Sequence, residues 1–220
     1  MTTLDGQWVY PYDAIGHLTN AVFASTKPGA VPNQDLQYSY DAVGNRTRTV
    51  MNGVTTLYLT NNLNQYISVG TATYRYDANG NLLQKTDDGV TTTFAYDSQN
   101  QLVSIVAPGD IRTFQYDAFG NNIASTYNGQ STRNLIDPSG LGNVVGQFDG
   151  AGNVLAHFTY ALGLTSRVAA GNIAAYYDFD RVGNTIAVTD TSGAVVNNYR
   201  YLPHGALLSI NEKLVKPFPF

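Results

Sequence analysis

Eight aspartates, Asp13, Asp41, Asp77, Asp97, Asp117, Asp137, Asp149 and Asp180, stand before short small-and-polar stretches, most of which reach Gly or Gly-Asn three residues on. Carboxylates in such numbers could work as acid–base pairs or as oxygen ligands for a hard cation. The stretch Asp77-Ala78-Asn79-Gly80-Asn81 resembles the opening of a calcium loop. An EF-hand, however, needs Gly at its sixth position and a distal bidentate Glu, and neither is present. A carboxylate that recurs in every copy of a repeat fits a structural role better than a catalytic one. His17, His157 and His204 lie far apart, and no nucleophile, base and orienting acid converge in the sequence. Gly140, Gly142 and Gly146 miss the dinucleotide-binding spacing by one residue and have no helix to follow. The expectation is a non-enzyme with no catalytic residue, no metal and no cofactor, whose aspartates cap turns.

The elements that position these residues are repeats. The signature is aromatic, any residue, Tyr, Asp, two residues, Gly, Asn. It occurs at Tyr38-Ser39-Tyr40-Asp41 with Gly44-Asn45, at Tyr74-Arg75-Tyr76-Asp77 with Gly80-Asn81, at Phe94-Ala95-Tyr96-Asp97, and at Phe114-Gln115-Tyr116-Asp117 with Gly120-Asn121. From Asp77 to Asp137 the aspartate returns every 20 residues, and self-similarity at a fixed period signals a repeat array. Weaker copies begin at Tyr10, Tyr58, Asn134, Gly146 and Tyr177, with Asn61 in the aspartate position of the second of these. A second set of turn signals lies out of phase: Asn52-Gly53, Val69-Gly70, Asp88-Gly89, Pro108-Gly109 and Asn128-Gly129. Asn-Gly and Asp-Gly supply the positive φ of tight type I′ hairpins. Two turns per repeat leave two strands of six to eight residues each.

The fold class expected is all-β: tandem antiparallel hairpins in a spiralling ribbon, from one array over 1–220, regular over 1–135 and degenerate over 136–220. Two aromatics two apart share a strand face. Tyr38, Tyr40, Tyr74, Tyr76, Phe94, Tyr96, Phe114 and Tyr116 should therefore form an aromatic ladder. Sixteen Tyr, nine Phe and 21 Gly with 13% charged residues suit strands and turns. Only residues 161–175, rich in Ala and Gly, leave room for one short helical turn. There is no cysteine for a disulfide or thiolate site. A net charge of −4 without a basic cluster argues against nucleic acid and anionic membranes. No signal peptide or membrane-length apolar run is visible.

These signatures, the segment Gly140-Leu141-Gly142-Asn143-Val144-Val145-Gly146, and Tyr199-Arg200-Tyr201-Leu202-Pro203-His204-Gly205 resemble the RHS or YD-repeat proteins over nearly the whole chain. In that family, YD hairpins join into a ribbon that spirals into a hollow shell, as in RHS toxins, the C component of insecticidal toxin complexes, and teneurins. Bacterial members enclose a variable C-terminal toxin, and a core after the repeats plugs the shell and often frees the toxin by an aspartate-based self-cleavage. The copy at Tyr201 has Leu202 where the family commonly has Asp, and Lys216 to Phe220 resembles only the entrance to that core. The resemblance therefore implies a non-catalytic wall segment, secreted or extracellular in its parent. Its partners would be the remaining shell and a C-terminal toxin.

Two other readings bear on the same residues. Tyrosine-rich faces with Asn and Asp suit cell-surface glycans, making a carbohydrate-binding or adhesion module the alternative function. A β-propeller would need four strands per blade and about 40 residues per repeat, twice the period seen here. Open strand edges would favour self-association.

Overall fold

The computed structural model describes residues 1–3, 5–139 and 141–214. Gly140 and the stretch from Lys216 to Phe220 lie outside the described residues. The described residues form 21 strands and no helix. The chain divides into two compact units, Met1–Ala95 and Tyr96–Phe220.

In the first unit the strands are β1 (Thr2–Thr3), β2 (Gly6–Val9), β3 (Asn20–Ser25), β4 (Gln34–Tyr40), β5 (Arg46–Met51), β6 (Val54–Thr60), β7 (Tyr66–Val69), β8 (Ala72–Tyr76), β9 (Leu82–Asp87) and β10 (Val90–Tyr96). Each pairs antiparallel with its sequence neighbours. The second unit repeats the scheme with β11 (Leu102–Ala107), β12 (Asp110–Tyr116), β13 (Asn122–Tyr127), β14 (Gln130–Ile136), β15 (Val144–Asp149), β16 (Val154–Tyr160), β17 (Leu164–Ala169), β18 (Ile173–Phe179), β19 (Thr185–Asp190), β20 (Val195–Tyr201) and β21 (Leu207–Glu212). Residues 161–175, where a helical turn was conceivable, carry β17 and the start of β18 instead. Cross-strand pairing outweighs the weak helix preference of that Ala-rich stretch, since an isolated helical turn is costly to nucleate.

The hairpin tips follow from backbone chemistry. Asn52 and Gly53 have φ of 51° and 86°, and Asn128 and Gly129 have 46° and 86°, so both central residues are left-handed as a type I′ turn requires. The two asparagines also extend the sheet beyond the tip. Asn128 donates its backbone N–H to Ile111 O, accepts Ile111 N–H on Oδ1 at 2.8 Å and donates Nδ2 to Gly109 O at 2.9 Å. Asn52 bonds Asp35 in the same two ways and reaches Gln34 Oε1 at 2.9 Å.

Along β4 the side chains alternate buried and exposed, with Gln34, Leu36 and Tyr38 on the covered face. Trp8, Ala21, Phe23, Leu36 and Tyr38 form the buried set of the first unit together with Val31 and Ala72. Trp8 sits opposite Phe23 with ring centroids 4.9 Å apart. In the second unit Ala175, Val188 and Tyr199 form a buried cluster, with Tyr177, Val196, Tyr201 and Leu214 packed against it.

Candidate functional site

The repeated unit is a turn closed from three directions. In the turns beginning at Asp13, Asp41, Asp77, Asp97, Asp117, Asp149 and Asp180, one carboxylate oxygen accepts two backbone N–H groups, from the residues two and four positions on, at 2.8–3.0 Å. The second oxygen accepts the side-chain amide of Asn45, Asn81, Asn121, Asn153 or Asn184 at 2.8–2.9 Å. The backbone closes the loop as well, for example from Asp77 N to Asn81 O and from Gly80 N to Asp77 O. Gly44, Gly80 and Gly120 adopt φ of 85–91°. Where the glycine is missing, Asn64 and Asn100 take the left-handed slot at φ of 60° and 61°, a conformation Asn tolerates better than most residues.

The variants show which part is dispensable. Asn61 still accepts the N–H groups of Leu63 and Gln65 on Oδ1, and its own amide donates to Gln65 Oε1. Asp137 binds Ser139 through both backbone and hydroxyl. At Leu202 no carboxylate exists, yet Leu202 N still reaches Ala206 O and Gly205 N still reaches Leu202 O. His17 replaces the terminal Asn of the first copy: its Nδ1 lies 3.2 Å from Asp13 Oδ2 and its ring packs 4.7 Å from Tyr40.

These interactions hold the carboxyls of Asp13, Asp41, Asp77, Asp117, Asp149 and Asp180 below their ordinary range. For Asp41, Asp77, Asp117 and Asp149 the leading cause is the hydrogen bond from the Asn side chain, with backbone N–H groups adding to it. The turn carboxylates are thus consumed by their own loops. The described residues hold no group of three or more His, Asp or Glu side chains arranged to take a metal. His157 is exposed in the middle of β16, and His204 is exposed in the Leu202 turn.

One reading of the repeats needs correcting. Asp149 lies between β15 and β16, at the strand ends opposite those of Asp137 and Asp180, where the earlier repeats carry Asn-Gly or Pro-Gly tips. Asp190, which the sequence reading missed, occupies the same end two hairpins later, in the turn between β19 and β20. It accepts Ser192 N, Ser192 Oγ and Ala194 N. Its Asp-x-x-Gly spacing to Gly193 was the available signal. The missing aromatic-x-Tyr prefix hid it.

The aromatic positions divide by role. Tyr38 is buried, while Tyr40, Tyr74, Tyr76, Phe94, Tyr96, Phe114 and Tyr116 are half-buried. The tyrosine that ends the aromatic strand, just before the turn, works through its hydroxyl. Tyr40 donates to Leu18 O, Tyr76 to Tyr66 O, Tyr116 to Leu102 O and Tyr201 to Thr185 O, each at 2.9 Å. Every acceptor lies five residues after the Asp or Asn of the preceding turn. These four repeats therefore fasten the strand that leaves the turn before them. A β-bulge recurs at this point, as between Ser39 and Tyr40, Arg75 and Tyr76, and Gln115 and Tyr116. Such an extra residue re-aims the side chains beside it.

Tyr116→Phe should cost about 1 kcal/mol, because Leu102 O loses its partner while the ring remains. Tyr127→Phe, whose residue is 53% exposed, should cost far less. Urea unfolding of the two variants checks the difference.

Comparison with known proteins gives a consistent picture. The sequence model of the teneurin YD-shell family matches residues 3–209. Over 90 residues the chain is 32% identical to the tRNA(Glu)-specific nuclease WapA of Bacillus subtilis subsp. natto and to the tRNA nuclease WapA of Bacillus subtilis strain 168. Each alignment covers 40% of this chain and 4% of the relative. Among solved structures, the crystal structure of TcdB2-TccC3-TEV superposes with a TM-score of 0.52 at 15% identity, over 94% of this chain and 12% of that one. That likeness is one of fold.

Proposed function

Because the chain belongs to the teneurin YD-shell family, we propose that it is a non-catalytic stretch of shell wall that encloses or presents an effector polypeptide lying C-terminal to it in a longer parent. The parent would act outside the cell that makes it. One observation carries the non-catalytic reading: the recurring aspartates, the residues best suited to chemistry, spend their oxygens on their own turns. The YD signature continues through the sequence of both units, which supports treating residues 1–220 as one array, regular to 135 and degenerate beyond it. The chain spans only 4% of the curated relatives it matches, so the nuclease activity in their names is not assigned to this stretch.

A second reading, glycan binding, draws on tyrosines that stay open, among them Tyr12 at 60% and Tyr176 at 44% exposure. Self-association through strand edges belongs to the same set of proposals.

The test has two parts. The isolated chain, incubated and weighed intact by mass spectrometry, should show no self-cleavage. In the parent, the effector should resist added protease, and deleting one hairpin pair from this stretch should expose it. A discrete cut product abolished by one point mutation, or an effector digested equally with and without the deletion, would sink the proposal.

A further inference from the structure

The bulge described above creates one defined slot per turn, the residue paired with the last position of the aromatic strand. The slot holds Leu18 opposite Tyr12, Tyr66 opposite Thr60, Leu82 opposite Tyr76, Leu164 opposite Tyr160 and Leu207 opposite Tyr201. Asn122, Val144 and Thr185 fill three more. Opposite Tyr40 the occupant is Arg46, a cation where the other slots are neutral.

Arg46 is held without a counter-ion. Its guanidinium carbon lies 5.8 Å from the Tyr38 ring centroid and 5.3 Å from that of Tyr58. Those rings belong to β4 and β6, the strands on either side of β5, and such faces attract a cation through their quadrupoles. The four ion pairs among the described residues use His17, Lys27, Lys85 and Arg112. Arg46 Nε is buried and has no hydrogen-bond partner. The extra residue in β5 brings Arg46 onto the face of Thr49, which pairs with Tyr38, is 1% exposed and likewise has an unpartnered hydroxyl. Two buried polar atoms, one on a permanent cation, are thus unsatisfied on one face of three adjacent strands. Leaving such donors unpaired is costly, and a leucine would avoid the cost.

We propose that Arg46, flanked by Tyr38 and Tyr58, is a receptor for a carboxylate borne by a polypeptide segment that reaches its Nη groups. The inference rests on the reading of the chain as a wall that faces a polypeptide. Arg46 is half-buried and its Nη groups are not among the buried unpartnered atoms, so the end-on pair of Nη groups is the edge that a planar carboxylate matches with two parallel N–H···O bonds.

The test uses the full 220-residue chain and two peptides, acetyl-Gly-Glu-Gly-amide and its glutamine analogue, followed by NMR at the Arg46 Nε–H and the Tyr58 ring. The glutamate peptide should shift both signals saturably and the glutamine peptide should not. Arg46→Leu, which copies the other slots, should weaken binding about tenfold or more and should melt no lower than the parent. If that variant does not fold, Arg46→Gln gives the same comparison. Equal shifts with both peptides, undiminished binding by the variant, no shift at all, or tighter binding of inorganic sulfate would each overturn the proposal. None of these outcomes touches the protease-protection assay on the parent, so failure here and failure of the wall reading are distinguishable.

Discussion

Asn197→Ala should destabilise the chain by about 3 kcal/mol, the cost of leaving several buried polar groups without partners. Asn197 is 2% exposed and uses both ends of its amide. Oδ1 accepts Lys213 N and Leu214 N at 3.0 and 2.9 Å, and Nδ2 donates to Leu214 O and Tyr199 Oη at 2.8 Å each. It thereby ties the chain after β21 back onto β20 and holds Leu214 against the Ala175, Val188 and Tyr199 cluster. Tyr199 passes its own hydroxyl hydrogen to Glu212 Oε1 at 2.7 Å. Urea unfolding should show the loss, and hydrogen exchange should report faster exchange at the Lys213 and Leu214 amides. Unchanged protection there would mean that the amide is not the tie.

A second large effect is expected at low pH. Beside Asp41, Asp77, Asp117 and Asp149, the carboxyls of Asp137 and Asp190 are lowered chiefly by the Ser139 and Ser192 hydroxyls, and those of Asp87 and Asp110 chiefly by Lys85 and Arg112. The unfolded chain returns each to about 3.8. A folded pKa below the unfolded one gives stability that is full above about pH 4 and is lost as the pH falls through the folded values. Tyr38, Tyr40, Tyr76 and Tyr177 are pushed up by burial. Their contribution is full below pH 10 and is lost as the pH rises through their folded values. Thermal melts should therefore be nearly flat through the neutral range and fall at both extremes. Asp117→Asn should flatten the acid limb, because Asn keeps the two backbone acceptor bonds, as Asn61 does, and cannot be protonated there. An acid limb identical to the parent's would count against the turn carboxylates.

Strands and tips were legible because they depend on neighbours in sequence. Alternation around Asn52-Gly53 and Asn128-Gly129 needs only the backbone preferences of a few residues. What lay hidden depends on pairing between strands. The bulge beside Tyr76 exists only when Tyr76 is set against Leu82 and Arg75 against Gln84. Without that register, Arg46 and Thr49, three residues apart, read as occupants of opposite faces. The tyrosine hydroxyls were invisible for the same reason. An aromatic beside an aspartate suggests ring packing, whereas the bond from Tyr116 to Leu102 O reaches 14 residues back. Asp149 misled because its local sequence is a full turn signature, and chain position alone decides at which strand end it falls.

The hydroxyl bonds that run from four of the turns to the one before each also bear on ancestry. Within each unit every strand packs only on the strands before and after it, and the tyrosine reaches no further than that. A duplication or loss of a whole hairpin pair would leave every surviving contact with an equivalent partner, since stability in such arrays is a sum of unit and nearest-neighbour contributions. Lengthening or shortening the array is then a small genetic step with a small folding cost. The unbroken 20-residue spacing of the aspartates from Asp77 to Asp137 is the register such a lineage would preserve.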